Sequence, residues 1–345
     1  MSTAQQKKVA IWLGIVCSLI FCMVIVGGIT RLTHSGLSMV EWKPLMGAIP
    51  PMSDEAWNET FSKYKNFPEY KIMNRNMELP EFKFIFYWEY FHRLIGRLIG
   101  VIYLLPFLYF YFRNYFDKKW AVRIFTGFLL GGLQGFMGWF MVKSGLVDNP
   151  HVSHYRLAAH LSIAFGIAGY LFWLILDLLY ADQTGQKKPA VHKRFRQSLL
   201  LTLGVCLQII YGAFTAGKKA GYGFNTFPKM NDSWFPDEIF SIQPSWLNFL
   251  ETNAAIQFTH RMIAFSLIIG IPLFLWIARF DFSSPAQKIS RSILFVALLV
   301  QFSLGVLTIL FIGDFGILLP SIHQCGAFFL FLSVINFNYV LYKNK

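Results

Sequence analysis

Eight apolar runs recur along the chain, each near the ~20 residues a helix needs to cross a bilayer, and they constrain its fold more than any other feature. They read as spans over roughly 9–30, 84–112, 121–143, 154–181, 196–216, 252–278, 289–312 and 319–342. Barrel strands are only about 10 residues long and alternate in polarity, so length assigns these segments to helices. Composition agrees: 55% of the 345 residues are hydrophobic and 14% are charged, against about 25% charged in a soluble domain. The expected fold is an all-α integral membrane protein with eight transmembrane helices.

The basic residues set the orientation. Lys7 and Lys8 precede the first span, and Arg113, Lys118, Lys119 and Arg123 lie between spans two and three. Lys187, Lys188, Lys193, Arg194 and Arg196 separate spans four and five; Arg279, Lys288 and Arg291 separate six and seven; Lys343 and Lys345 close the chain. With eight spans, all of these clusters fall on one side. The net charge of +13 is therefore a positive-inside signal, and no contiguous basic patch offers a nucleic-acid surface. Neither a cleavable signal nor an Arg-rich transit peptide is visible, so the expected location is a bacterial inner (cytoplasmic) membrane with both termini cytoplasmic. Cys17, Cys22, Cys206 and Cys325 all fall inside spans, where a thiol is a small packing residue. No outer loop carries a cysteine, so no loop disulfide forms.

The chain repeats itself. "EYFHRLIG" (Glu89–Gly96) aligns with "QFTHRMIA" (Gln257–Ala264), and "LQGFMG" (Leu133–Gly138) with "VQFSLG" (Val300–Gly305), at offsets of 257 − 89 = 168 and 300 − 133 = 167. His160 pairs with His323 at 323 − 160 = 163, and "VGGITRLTHSG" (Val26–Gly36) resembles "YGAFTAGKKAG" (Tyr211–Gly221). Ordered matches of this kind predict two tandem-repeated four-helix bundles in parallel orientation. The N-terminal half spans 1–181, a cytoplasmic linker 182–196 and the C-terminal half 197–345.

His92, His160, His260 and His323 fall near the outer ends of spans two, four, six and eight. Two facing histidines in each four-helix unit suit bis-imidazole ligation of a haem iron. Zinc or copper would want a third donor or a cysteine. One turn beyond each histidine lies Gly96, Ala164, Ala264 or Ala327, small enough to admit a flat ring. Small residues at membrane helix interfaces also serve packing alone. His34, His151, His154 and His192, in or beside loops, read as solvated or structural. Arg93 and Arg261 directly follow two of the span histidines; they suit haem propionates or snorkel to headgroups, and Arg97 stays unassigned.

One position breaks the repeat. Glu89, three residues before His92, is replaced in the second copy by Gln257, of similar shape but unable to ionise. A carboxylate there suits general acid–base work or stabilisation of developing positive charge, which makes the first half the reactive one; simple pairing with Arg93 or Arg97 is the competing reading.

These stretches, with "GGITRLTHSGLSMVEWKPLMGAIPP" (Gly27–Pro51), "HYRLAAHL" (His154–Leu161) and "SIHQCGA" (Ser321–Ala327), resemble the haem A synthase family over nearly the whole chain. Without loop cysteines the chain is similar to the proteobacterial and mitochondrial branch, not the Gram-positive one. The resemblance implies oxidation of the C8 methyl of haem O to a formyl group, for terminal oxidase assembly. Two successive hydroxylations draw oxygen from water, and electrons leave through a bound haem b. It implies His260 and His323 as axial ligands of the cofactor haem b, His92 and His160 facing the substrate haem, and Glu89 as the catalytic carboxylate. Implied partners are haem O, membrane lipid, the farnesylating haem O synthase and an unidentified electron acceptor. Two other readings remain open at this level. A di-haem b-type electron carrier explains the histidines equally well but not the Glu89/Gln257 difference. A haem-farnesylating prenyltransferase would need paired Asp-rich motifs, which "NDSWFPDE" (Asn231–Glu238) imitates poorly.

Overall fold

Local signals start four of the eight long helices. In the computed structural model, which describes residues 1–41, 49–145, 152–180, 193–279, 282 and 284–343, α1 (Thr3–Leu32) opens on a reciprocal Ser2/Gln5 capping box that satisfies otherwise orphaned N–H groups. The next long helix, α4 (Leu79–Phe112), opens on a Glu78/Glu81 box with a proline in its first turn. The remaining spans are α5 (Lys118–Gly145), α6 (His154–Leu179), α7 (Lys193–Gly217), α9 (Asn253–Ile277), α10 (Pro285–Leu310) and α11 (Leu318–Lys343). Thr252 caps α9, and a Ser284/Gln287 box caps α10. All eight are long and apolar enough to cross a membrane, and no strand forms among the described residues. Outside them, α2 (Asp54–Tyr64) and α3 (Pro68–Ile72) build the first long loop, and 3₁₀ turns with the four-residue α8 (Asn248–Glu251) build the second.

Neighbour relations form two rings of four. Helix α1 packs on α4 and α6, and α5 on the same two; α7 packs on α9 and α11, and α10 on the same two. The rings meet through α1–α11, α6–α7 and α6–α11. Exchanging each helix for its repeat partner maps this contact set onto itself, the signature of a two-fold relation between parallel copies. Phe165 packs on Phe328 and Phe331 across that interface, and the Tyr339 hydroxyl donates to the Leu176 carbonyl at 3.1 Å. At one end of the bundle, Asp177 of α6 pairs with Arg123 at 2.5 Å and Lys343 at 3.1 Å, joining α5, α6 and α11. At the other end, Lys219 meets His34 at 3.3 Å. The linker residues 182–192, with His192, and also His151 and 42–48 of the first long motif, lie outside the described residues.

Two helix starts differ most from expectation, and α1 begins at Thr3 rather than near 9. Helix α4 begins at Leu79 rather than near 84, so His92 sits 92 − 79 = 13 residues into it, against 160 − 154 = 6 for His160. The extra turn is held by an aromatic cluster, in which Trp57, Phe61 and Tyr64 of α2 pack on Phe82 and Phe86.

Candidate active site

Each span histidine leans on a glycine of the helix before it. A β-carbon added to Gly27 of α1 would lie 3.2 Å from Cε1 of His92 on α4; on Gly138 of α5, 3.1 Å from Cε1 of His160 on α6. The second half repeats this: Gly212 of α7 against His260 on α9 at 3.2 Å, and Gly305 of α10 against His323 on α11 at 3.0 Å. Only a residue without a side chain lets the ring edge approach a helix backbone so closely. The expected small residues one turn beyond the histidines are present, but the close approach is made by these four glycines on the partner helices. His92 and His160 interact electrostatically within the first half, and His260 and His323 within the second. The expected pairs are therefore brought together.

A glutamine one turn before the glycine touches the ring in three of the four seats. Gln134 Nε2 is 3.3 Å from His160 Nε2, Gln208 Nε2 is 3.3 Å from His260 Nε2, and Gln301 Nε2 is 3.1 Å from His323 Nδ1. The other nitrogens, Nδ1 of His160 and His260, are buried without a partner, and so are Oε1 of all three glutamines. Buried polar atoms are normally satisfied. An imidazole with one nitrogen held and the other open is the donor a haem iron uses. Among the described residues no group of three His, Cys, Asp or Glu side chains is placed to hold a metal ion, which argues against a zinc-type site. The donor set thus fits one bis-imidazole haem per half.

Glu89 and Gln257 occupy equivalent places, each 2% exposed, and each stitches its helix to the long loop of its own half. Glu89 Oε2 accepts from Ser38 Oγ and from the Met39 amide, both at 2.7 Å, while Oε1 pairs with Arg93. Gln257 instead donates Nε2 to the Phe224 carbonyl at 3.0 Å. The competing reading of an ion pair with Arg93 is therefore present in the geometry, and it sits beside two further donors. Arg93 also donates to the Met39 carbonyl at 3.0 Å, and Arg261 to the carbonyls of Phe224 at 2.8 Å and Lys229 at 2.9 Å. Both arginines hold loop backbone beside the helix turn that carries their histidine; a propionate would share these donors. His154 Nε2 contacts the Leu250 carbonyl at 2.8 Å, a tie between the halves that suits its structural reading.

Sequence reasoning missed three things here. Gln134, Gln301 and the four glycines stood inside the aligned stretches but carried no signal of ring contact, and Gln208 lay outside those stretches. Gln324, next to His323, donates to the Val24 carbonyl at 2.7 Å and lies on Gly28, so the seat of one half touches the helix that seats His92. Glu69 is the third: 4% exposed in the first long loop, it accepts from the Tyr64 hydroxyl at 3.1 Å. Burial pushes its carboxyl up to about 8, and the charge of Glu89 pushes the same way.

The sequence matches known proteins over nearly its whole length. Residues 10–335 match the COX15-CtaA family, described as cytochrome oxidase assembly protein. A heme A synthase of Nitrosospira multiformis is 45% identical over 98% of this chain and 94% of its own length. One from Nitrosomonas eutropha is 42% identical over 96% and 93%. The heme A synthase COX15 of Arabidopsis thaliana is 43% identical over 97% of this chain and 75% of its own.

Proposed function

Because the chain belongs to the COX15-CtaA family of cytochrome oxidase assembly proteins, we propose that it acts as a haem A synthase, oxidising the C8 methyl of haem O to a formyl group. The observation that carries this reading over a plain electron carrier is the exchange of Glu89 for Gln257 between otherwise repeated seats. Haem O is the substrate of the first half, facing His92 and His160. Haem b, held by His260 and His323, supplies one-electron transfer when bound. In sum, methyl plus one water gives formyl plus four protons and four electrons. The first hydroxylation yields an alcohol, the second a geminal diol, and loss of water leaves the aldehyde. The electrons pass to an acceptor at the membrane.

Within this scheme Glu89 takes the proton, or stabilises positive charge developing at the reacting carbon. Ser38, the Met39 amide and Arg93 fix the carboxylate in place, and pre-set geometry is what makes such a group effective. Met39 ties this carboxylate to the start of the first outer loop, so loop and catalytic group are positioned together. The chain would lie in a bacterial inner membrane with both termini cytoplasmic, receiving haem O from the farnesylating enzyme. Extracting the pigments of the purified protein tests the reading: one haem b together with haem O or haem A per chain is expected. Two equivalents of haem b and no other haem would establish the carrier instead.

A further inference from the structure

The repeat that relates the two halves fails at a second place, and it fails beside the same histidine. The glutamine one turn before the seat glycine is Gln134 for His160, Gln208 for His260 and Gln301 for His323. For His92 the position one turn before Gly27 holds Met23. The two positions are equivalent, since 208 − 23 and 212 − 27 both equal 185. Met23 points into the same seat: its methyl lies 3.7 Å from where a β-carbon on Gly96 would be, one turn beyond His92. A thioether offers no donor and only a weak acceptor. Among the described residues no hydrogen bond reaches His92, whereas each of the other three rings has an amide.

A ligating imidazole keeps its ring plane and tautomer through the hydrogen bond at its other nitrogen, and losing that partner typically costs about 10–100-fold in metal affinity. Turning each glutamine amide by 180° brings its unpartnered Oε1 onto the ring, where it accepts the N–H of a ligated histidine. The side chains differ little in volume, so the exchange of Gln for Met changes hydrogen bonding rather than packing. We propose that Gln134, Gln208 and Gln301 are positioning residues that make His160, His260 and His323 lasting haem ligands, and that Met23 leaves His92 as the exchangeable ligand through which the first half takes up and releases its haem. The proposal rests on the reading of the four histidines as haem ligands. A half that processes a haem must let its product go; a half that keeps one must not. The difference between them falls on one ligand of four.

The test is haem release from the purified full chain, reconstituted with haem O, into excess apomyoglobin, followed by absorbance together with the low-spin electron paramagnetic resonance signal. Gln208→Met is expected to speed release of the second half's haem about tenfold or more and to shift its resonance signal. Gln208→Glu, which keeps an acceptor of the same reach, retains slow release, a result that space-filling alone would not produce. Met23→Gln is expected to slow release from the first half by a similar factor. Unchanged release from either methionine–glutamine exchange overturns the proposal. The control is His260→Ala. If it loses the second half's haem while the exchanges do nothing, the positioning role alone is wrong; if it retains that haem, the ligation reading beneath it is wrong too.

Discussion

The two halves hold their imidazoles in the same way and differ in what surrounds one of them. His160 and His323 have the same kinds of neighbour: a glycine of the preceding helix against the ring edge and a glutamine on a ring nitrogen, Nε2 of His160 and Nδ1 of His323. His92 and His260 share the glycine, but around His92 the amide becomes Met23 and the neutral Gln257 becomes Glu89. The outer cover differs as well: helices α2 and α3 with their aromatic cluster over the first half, 3₁₀ turns over the second. What both halves retain is the minimum for holding a haem between two imidazoles. What only the first half has is a fixed carboxylate, a ring without an amide and a loop built from α-helices with an aromatic cluster, which is where bond-making chemistry is to be sought.

The largest effect should come from removing a ligand in each half. His260→Ala is expected to abolish the b-type absorbance of the purified protein, while His92→Ala leaves that band in place and loses conversion. Equal loss of the band from both variants would erase the assignment of one retained and one processed haem. Next in size is Glu89→Gln, which copies the second half's residue into the first. Acid–base groups contribute about 10²–10⁴-fold, so this variant should fold, keep haem b and accumulate haem O or a hydroxylated intermediate by chromatography of extracted haems. Normal haem A yield would leave the carboxylate as a partner of Arg93 and nothing more. Smaller again is Gly305→Ala. Its new β-carbon, 3.0 Å from the His323 ring, must push the imidazole by a few tenths of an ångström, and a shifted b-type band with about tenfold weaker haem retention is expected. The same change at Gly138, at 3.1 Å from His160, should leave that band untouched.

How much of this was readable beforehand follows from the kind of constraint involved. Eight helices were legible because a bilayer demands a fixed apolar length, and the pairing of His92 with His160 and His260 with His323 because a duplication repeats its offsets. Glu89 stood out because the copy at Gln257 changed charge without changing shape. The seats were not legible. Gly27, Gly138, Gly212 and Gly305 look in sequence like any small residues at a membrane helix interface; only the placement of the rings turns them into contact points. Gln134 and Gln301 were aligned as polar matches, yet nothing local says that an amide on one helix will meet an imidazole on the next. The early start of α4 was hidden for a related reason, since the turn before residue 84 is held by tertiary contacts of Trp57, Phe61 and Tyr64 rather than by its own hydropathy.

The smallest effect on the pigments, and the one that separates the two outer covers, concerns Glu69. Its carboxyl titrates near 8 in the folded protein against an ordinary value of 4.5, because it is buried beside Tyr64 and close enough to Glu89 to feel its charge. A carboxyl raised in this way binds its proton more tightly when folded. Its contribution is therefore fully present below pH 4.5 and is lost as pH rises toward 8, at up to about 1.4 kcal/mol per pH unit. Thermal melting followed by tryptophan fluorescence, with Trp57 in the same cluster, should fall between pH 5 and 8 in the wild type and stay flatter in Glu69→Gln. Since Gln also accepts from the Tyr64 hydroxyl, the packing is preserved and only the titration is removed. The b-type band should be the same in both proteins, because α2 and α3 cover the first half and not the second. A change in that band on Glu69→Gln would mean that the two covers are coupled, and a melting curve with the same pH slope in both proteins would mean that Glu69 is not the titrating group.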